Sequence, residues 1–333
     1  MKKWLVLFLL LVLTLAGCSS TNSSTSTGED GEWAPPKQVE IVAPAGAGGG
    51  WDTTARMVAK VLDEEEILEQ NVGVINKPGG GGAVGWAYVQ SVNNPSNIFV
   101  SSPPLIFVPL SGQSEYETED FTPLANLIAD YAAFAVREDA PWDNLNELFD
   151  AMKEDPSSVT VVGTSSPGSM DHVQFIQIAK AAGVDIKNIK YVSAPDGGGL
   201  TQLLNGSVQV YSTGVAETVE QVKAGKIKVL GITAPERLEG EVLSEFPTAI
   251  EQGIDATFVN WRGFFGPKEM TEDQIKFYEE KLKEVSESEA FANIRAQYGW
   301  DEMYMGSEDY KAFIEEQKGD ISSILDELGL LQN

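Results

Sequence analysis

A unit that occurs four times along the chain constrains its fold most strongly: an apolar segment, a turn rich in glycine or serine, and a helical pattern. A short apolar segment bounded by turn residues is typical of a buried strand, and apolar residues at i, i+3, i+4 and i+7 are typical of a helix. The first helix shows this spacing at Ala55, Val58, Ala59 and Leu62. Strands that alternate with helices predict parallel sheets joined by right-handed crossovers. The four turns lie at residues 46–51, 79–83, 165–169 and 196–199.

The predicted elements fall into two sets of similar size, which indicates two lobes. Strands are predicted at 38–43, 72–76, 98–101, 132–137, 159–162, 189–192, 208–213 and 227–233. Helices are predicted at 51–68, 83–92, 145–153, 170–182, 200–205, 271–286, 288–298 and 307–328. We expect one lobe to comprise residues 37–133 plus 236–333, and the other residues 134–235. The predicted fold class is α/β, with a mainly parallel sheet flanked by helices in each lobe.

The four turns share a chemistry that favours anions. In a parallel sheet the turns that follow the strands gather at the carboxyl edge, where ligands bind. Helix N-termini present unpaired N–H groups and the positive end of the helix dipole, and glycine lets the backbone approach a ligand closely. Neutral donors of this kind bind a carboxylate without a basic residue. Further hydroxyl donors come from Thr53, Thr54, Ser165, Ser166 and Ser169.

Each turn also has a structural alternative. A single glycine-rich turn before a helix often serves only tight packing. Asp52 and Asp171 lie at predicted helix starts, where a carboxylate either accepts hydrogen bonds from unpaired amides or contacts a ligand. Trp51 either packs on a ligand or covers the core. The sequence leaves these alternatives open.

The balance of charge is strongly acidic. The chain has 50 Asp and Glu against 23 Lys and Arg, a formal net charge of −27. Binding to nucleic acid phosphates requires a basic surface, so we predict no nucleic-acid partner.

The N-terminus has the features of an exported lipoprotein. Residues 1–17 combine two lysines, an apolar run and small residues, as a signal peptide does, and the run is shorter than the about 20 residues of a membrane helix. Leu15-Ala16-Gly17-Cys18 contains the only cysteine and resembles the lipobox of bacterial lipoproteins, which implies acylation of Cys18. Residues 18–36, rich in Ser and Thr, are predicted to form a flexible linker. We therefore expect a lipid-anchored protein at the extracytoplasmic face of the cell membrane, on the cell surface or in the periplasm.

Enzyme signatures are incomplete in this sequence. Residues 80–85 match G-x-G-x-x-G, but the acidic residue that a dinucleotide site needs about 20 residues further on is missing. Neither a P-loop nor a G-x-S-x-G elbow occurs. His172, the only histidine, is interpreted as a surface or capping residue. A secreted hydrolase, the alternative, would need His172 beside a serine nucleophile. We predict no catalytic residue, no cofactor and no metal site.

Eight segments follow one another in an order that is typical of a known family. Residues 43–56 (APAGAGGGWDTTAR) and 76–82 (NKPGGGG) are followed by matches at 163–169, 191–199, 205–210, 224–230, 246–248 and 261–267. Together they resemble the substrate-binding proteins of tripartite tricarboxylate transporters, the TctC or Bug family. The resemblance covers nearly everything from Val39 onward.

The resemblance implies a two-lobed, periplasmic-binding-protein-like (Venus flytrap) receptor. Such a receptor captures a small carboxylate between its lobes and delivers it to the membrane permease of a tripartite tricarboxylate-type transporter. A di- or tricarboxylate such as citrate is the implied ligand, and we expect a monomer. The implied ligand-binding residues are Gly48, Gly49, Gly50, Trp51, Asp52, Thr53, Gly79, Gly80, Gly81, Ser165, Ser166, Gly168, Ser169, Asp196, Gly197 and Gly198.

Three features leave the ligand open. Trp51 replaces the small residue that is common before the aspartate, and residues 43–45 read APA where many relatives have Phe-Pro-Pro. That version resembles the tricarboxylate-binding branch more than the amino-acid-binding branch. Asp196 either repels an anion or receives an ammonium group, so an amino dicarboxylate remains an alternative. A ligand-sensing module for another membrane partner would have the same fold.

Overall fold

The computed structural model describes residues 33–194 and 198–332. The predicted signal peptide (1–17), Cys18 and most of the linker lie outside the described residues, as do Asp196 and Gly197. The chain divides into two units, Met1–Ala34, of which only Trp33 and Ala34 are described, and Pro35–Asn333. The second unit is compact and carries the fold.

The described part of this unit contains ten strands and ten α-helices, which alternate from β1 to β8. The strands are β1 (Gln38–Ala43), β2 (Asn71–Asn76), β3 (Asn97–Ser101), β4 (Thr122–Arg137), β5 (Thr160–Gly163), β6 (Lys190–Ser193), β7 (Val210–Gly214), β8 (Ile227–Ile232), β9 (Val259–Gly266) and β10 (Asp301–Gly306). The helices are α1 (Gly50–Glu64), α2 (Ala83–Val92), α3 (Pro104–Leu110), α4 (Leu145–Glu154), α5 (Met170–Ala181), α6 (Gly199–Leu204), α7 (Val219–Lys223), α8 (Glu272–Glu287), α9 (Glu289–Tyr298) and α10 (Ser307–Glu327).

The strands form one continuous mixed sheet with the order β2-β1-β3-β9-β4-β7-β5-β6, and β8 and β10 also pair with β4. Strand β4 is 16 residues long and almost entirely buried. Its first half pairs with β9 and β10, and its second half with β7 and β8. We call the part built on β1–β3, β9 and the first half of β4 the first lobe, and the part built on β5–β8 and the second half of β4 the second lobe.

The predicted parallel pairing holds at the two outer parts of the sheet. Strands β1, β2 and β3 are parallel, and so are β5, β6 and β7. The centre, where β9 and β10 run antiparallel to β4, was not predicted. The reason is that β4 and β9 carry polar residues inside apolar segments, and only residues 132–137 of β4 read as a strand.

The carboxyl ends of the two parallel groups face each other across the middle of β4. Ser101 at the end of β3 pairs with Gly263 of β9, and Gly263 in turn pairs with Asn126 of β4. Strand β7 runs antiparallel to β4, and Gly214 at its end pairs with Ala132 of β4. From 126 to 132 the strand spans roughly 20 Å, at about 3.3 Å per residue. We call the space between these two edges the cleft.

Each lobe has its own aromatic core. In the first lobe Phe99 stacks on Phe265 with ring centroids 5.3 Å apart. In the second lobe Phe175 contacts Phe134 and Phe149 at 5.2 and 5.8 Å. Such ring pairs add to the free energy that apolar burial contributes. The two cores therefore hold the two sheet edges as separate bodies joined through β4.

Helix α10 also connects the lobes. Its residues Ile321 and Leu325 belong to the same buried cluster as Val173 and Ile176 of α5. The segment 236–256, in turn, packs against the second lobe, where Gln252 donates to the carbonyl of Leu230 at 3.0 Å.

The predicted lobe boundaries stay a prediction. Among the described residues, no helix combines the length and apolarity needed to cross a membrane.

Candidate ligand-binding cleft

The first glycine turn is shaped by Asp52, a buried residue in the first turn of α1. Its Oδ2 accepts hydrogen bonds from the amide of Gly48 at 2.8 Å and from Nε of Arg56 at 3.0 Å. Its Oδ1 accepts from Nδ2 of Asn76 at 2.8 Å and lies 2.9 Å from Nη2 of Arg56. Burial opposes ionisation, but the hydrogen bonds from Arg56, Gly48 and Asn76 outweigh it and lower the pKa of Asp52. Both carboxylate oxygens are therefore engaged by protein donors.

The start of α1 offers backbone donors that suit an anion. Gly49 is the N-cap without a side-chain cap, and its carbonyl accepts from the amide of Thr53 at 2.9 Å. This is the first hydrogen bond of the helix, so the amides of Gly50 and Trp51, which come before Thr53, have no acceptor within the helix. The indole Nε1 of Trp51 donates to Oγ of Ser102 at 2.9 Å, and the ring packs against the core of the first lobe. Trp51 thus covers the core, and its contact with a ligand stays a prediction.

The second glycine turn requires glycine for its backbone. A 3-10 turn spans Gly80–Gly82 and leads into α2. Positive φ is rare for residues with a Cβ, and here four consecutive residues have it. These are Gly79 (+131°), Gly80 (+57°), Gly81 (+64°) and Gly82 (+117°). A Cβ at Gly82 would lie 3.2 Å from the Trp51 ring, and Nδ2 of Asn76 donates to the carbonyl of Ala45 at 3.0 Å. The two glycine turns therefore lie side by side.

In the second lobe, Asp171 shapes the serine-rich turn. Its Oδ2 accepts from the amide and the hydroxyl of Thr164 at 2.7 and 2.8 Å, and from the amide of Ser165 at 2.9 Å. The amide of Asp171 in turn donates to Oγ of Ser165 at 2.8 Å. Burial raises the pKa of Asp171, and the hydrogen bonds from Ser165 and Thr164 oppose this shift only in part. Asp171, like Asp52, accepts hydrogen bonds from the amides of its turn.

His172 supports the same turn as a neutral ring. Its Nδ1 accepts a hydrogen bond from the amide of Gly168 at 3.0 Å, which assigns the ring proton to Nε2. Burial lowers the pKa of His172 to about 4. The predicted capping role fits this contact, whereas the predicted surface position is wrong because the side chain is buried against the ring of Tyr191, 4.4 Å away. No serine hydroxyl of the described residues hydrogen-bonds to the imidazole.

The remaining predicted site residues lie near these turns. Ser166 is exposed, and Ser169 is buried at the N-cap of α5. Gly198 is the N-cap of α6. Asp196 and Gly197 lie outside the described residues, so their contribution to the cleft stays a prediction.

A buried ion pair that the sequence analysis missed lies at the floor of the cleft. Nη2 of Arg262 on β9 is 2.6 Å from Oδ2 of Asp130 on β4. Nη1 donates to Oγ1 of Thr54 at 3.3 Å and to the carbonyl of Gly50 at 3.4 Å. Burial raises the pKa of Asp130, and the charge of Arg262 opposes that shift. An arginine inside the aromatic segment 261–267 was the only sequence signal for this pair.

Glu217, also missed, lies where β7 ends at the cleft. It is exposed, and its Oε2 is 3.4 Å from the hydroxyl of Thr213. Although the side chain reaches solvent, the surrounding protein desolvates the carboxylate and raises its pKa. Asp130 and Asp171 add to this pKa shift and Arg262 opposes it. Gly214, beside the Glu217 carboxylate, pairs with Ala132 of β4.

This combination of fold and site defines a class of protein. Two α/β lobes joined through a shared strand, with helix starts and glycine or serine turns at the facing edges, are the architecture of a two-lobed solute-binding protein. The comparisons agree with this class. The family model described as "Tripartite tricarboxylate transporter family receptor" matches residues 54–330. The chain belongs to this family.

Similar proteins cover nearly the whole chain. A UPF0065 protein of Bordetella pertussis is 25% identical over 303 residues, which are 89% of this chain and 91% of the relative. The crystal structure of a TctC solute binding protein from Polaromonas is 26% identical with a TM-score of 0.70, covering 88% of this chain and 99% of that one. R. palustris Rpa4515, solved with adipate, shares the fold at 20% identity and a TM-score of 0.76, over 89% of this chain and 98% of that one. Because the family is one of transporter receptors, this chain is a receptor rather than an enzyme.

Proposed function

We propose that this receptor captures a small carboxylate in the cleft and delivers it to the membrane subunits of a tripartite tricarboxylate-type transporter. One observation carries the proposal: Asp52 and Asn76 hold two glycine turns of the first lobe side by side. Both turns open helices, so their unpaired amides suit a carboxylate. The adipate in R. palustris Rpa4515 is a dicarboxylate, which supports the same ligand class here.

The serine-rich turn of the second lobe completes the proposed site. Ser166 is exposed there, and the turn is held from behind by Asp171. A ligand that contacts turns of both lobes binds the closed receptor better than the open one and therefore shifts the population toward closure. Citrate, other di- or tricarboxylates and amino dicarboxylates all belong to the class. The proposed mechanism is capture, closure and delivery by a monomer, with no covalent step.

We further propose that Cys18 anchors the receptor to the extracytoplasmic face of the membrane. Residues 15–18 match a lipobox, and the Ser/Thr-rich segment that follows would leave the lobes free to close. Replacing Cys18→Ser in the full chain should move the protein from the membrane fraction to the soluble fraction of the producing cell. Retention of this variant in the membrane would contradict the anchor.

The ligand class is tested by thermal unfolding of the full chain in detergent with a panel of mono-, di- and tricarboxylates and amino acids. A ligand at 100 times its Kd should raise the free energy of unfolding by about 2.7 kcal/mol. A panel in which no carboxylate changes the melting temperature would refute the proposal.

A matched pair of variants separates binding from backbone strain. Gly80 and Gly225 have almost the same φ, +57° and +61°, and only Gly80 belongs to the proposed site. Valine strains the backbone at either position. Gly80→Val should abolish the ligand-induced shift, whereas Gly225→Val should keep it.

A further inference from the structure

Glu217 is a carboxylate at the cleft without a positive partner. Its carboxylate lies over the end of β7. A Cβ added at Gly214 would overlap Oε2 of Glu217, and the hydroxyl of Thr213 is 3.4 Å from the same oxygen. Among the described residues, no lysine or arginine lies within ion-pair distance of Glu217. Glycine at 214 therefore leaves the space that this carboxylate occupies.

The nearest cation is already engaged. Arg262 has its guanidinium 2.6 Å from Asp130, and its other amine contacts Thr54 and the carbonyl of Gly50. The pair Asp130–Arg262 has no net charge. When Glu217 is ionised, its negative charge at the floor of the cleft is therefore not offset by a cation of its own.

The same contacts place this charge close to the proposed carboxylate site. A Cβ at Gly50 would lie 2.7 Å from Nη2 of Arg262, so the first glycine turn touches the guanidinium directly. The Glu217 carboxylate lies against Gly214, which pairs with Ala132 of β4, two residues from Asp130, and the charges of Asp130 and Arg262 shift the pKa of Glu217. A small molecule held at the first turn is thus within reach of Glu217.

Asp171, the third carboxylate at this edge, differs from Glu217. Its Oδ2 is fully engaged by the amides and hydroxyl of residues 164 and 165. Among the described residues, Thr213 is the one other residue whose side chain contacts the Glu217 carboxylate, at 3.4 Å, and Glu217 is exposed. Of Asp130, Asp171 and Glu217, Glu217 is the carboxylate with room to accept a further hydrogen bond from a ligand.

We propose that Glu217 selects ligands that carry an ammonium group as well as a carboxylate, so that the receptor prefers amino carboxylates to plain carboxylates. This inference rests on the proposed function. The amides of the glycine turns bind the ligand carboxylate, and Glu217 accepts a charge-assisted hydrogen bond from the ligand ammonium. A plain dicarboxylate of the same length carries the same two negative charges but no ammonium group, so Glu217 repels it without a compensating hydrogen bond.

The experiment uses ligand pairs that share a carbon skeleton and differ only in the ammonium group. Dissociation constants of the full chain are measured by calorimetry for aspartate against succinate and for glutamate against glutarate. The amino form of at least one pair should bind about tenfold or more tightly, as a hydrogen bond between charged groups does. In Glu217→Gln this preference should fall to about twofold or less, mainly because the amino form binds more weakly.

Glu220→Gln is the matched control. Glu220 is exposed on α7 and pairs with Lys223 at 3.4 Å, so the same substitution there should leave the preference unchanged. Equal or tighter binding of succinate and glutarate by the wild type would overturn the inference while keeping the proposed function. An unchanged preference in Glu217→Gln would also overturn it. Absence of binding by every carboxylate in the broader panel would instead refute the proposed function.

Discussion

The turns of the two lobes are held by aspartates in corresponding places but with different partners. Asp52 in the first lobe accepts from Arg56, an amide and a side-chain amide, and these bonds lower its pKa. Asp171 in the second lobe accepts on Oδ2 only from neutral donors of residues 164 and 165, and burial raises its pKa. The first turn is thus supported by cations, and the second by neutral groups, including His172.

The difference shows how an acidic chain can build an anion site. Arg56 and Arg262 both contact the first turn or its aspartate, but each is paired with a carboxylate. Their charge stabilises the turn rather than the ligand. In the proposed site the ligand is left with backbone amides, and the strength of their hydrogen bonds depends on how firmly the turns are held.

The largest effect should follow from removing the cation beneath the first turn. Arg262→Leu leaves Asp130 buried without its partner, which should lower the free energy of unfolding by about 3–5 kcal/mol. Denaturant unfolding at pH 7 measures the loss. The loss should shrink as the pH is lowered through the raised pKa of Asp130, because the neutral acid needs no cation.

Arg237→Leu is the control for this substitution. Arg237 pairs with Glu251 at 2.9 Å, and both side chains are more than two-fifths exposed. An exposed pair contributes about 0–1 kcal/mol. Equal losses in the two variants would contradict a special role for the buried pair.

The second turn should instead respond to pH through His172. Because burial lowers its pKa from 6.5 to about 4, the folded protein favours the neutral ring. The stabilisation is fully present above pH 6.5 and is lost as the pH falls toward 4, a change of about 3 kcal/mol at 1.36 kcal/mol per pH unit. Asp130 and Asp171, whose pKa values are raised, contribute in the opposite direction.

His172→Asn isolates this contribution, since Asn offers an oxygen acceptor to the amide of Gly168 but does not titrate. The free energy of unfolding is measured from pH 7 to 4 for both proteins. The wild type should lose about 3 kcal/mol more than the variant over this window. Parallel curves would show that protonation of His172 does not weaken the turn.

The smallest effect, and the most direct comparison, comes from the same isosteric change at both aspartates. Asp52 accepts hydrogen bonds on both oxygens, so Asp52→Asn must turn an NH2 group toward donors and lose about 2 kcal/mol. Asp171 accepts its short bonds on Oδ2 alone, with Gln174 at 3.5 Å from Oδ1. Asp171→Asn should therefore cost less than about 1 kcal/mol.

Thermal or denaturant unfolding of the two variants decides between these expectations. Asp52→Asn should also weaken the ligand-induced shift, because the amide of Gly48 loses its acceptor. A larger loss for Asp171→Asn than for Asp52→Asn would reverse the comparison.

Local pattern was enough to predict the outer parts of the sheet. The strand at 38–43 and the helix at 83–92 have the predicted boundaries, because period, turn residues and glycine act within a few positions of each other. The glycine turns and Asp52 and Asp171 were identified for the same reason. Their role as amide acceptors was one of the alternatives considered.

The central strands and the cleft floor were not predictable in this way. Asp130 and Arg262 interrupt apolar segments, and a charged residue inside a segment argues against a buried strand. In the structure the two side chains lie on the paired strands β4 and β9 and neutralise each other. Glu217 belongs to none of the turns or motifs singled out in the sequence. The shift of its pKa depends on Asp130, Arg262 and Asp171, which are all more than 40 positions away in the chain.

By itself, the sequence determined the four strand–turn–helix units, the α/β class and the family, because these depend on local periodicity and on motifs in order. The tertiary structure decided which charges at the cleft are paired, as in Asp130–Arg262, and which carboxylate, Glu217, has no cation within ion-pair distance among the described residues. Pairing depends on distances between atoms of different strands. Those distances exist only once β4 brings the two lobes together.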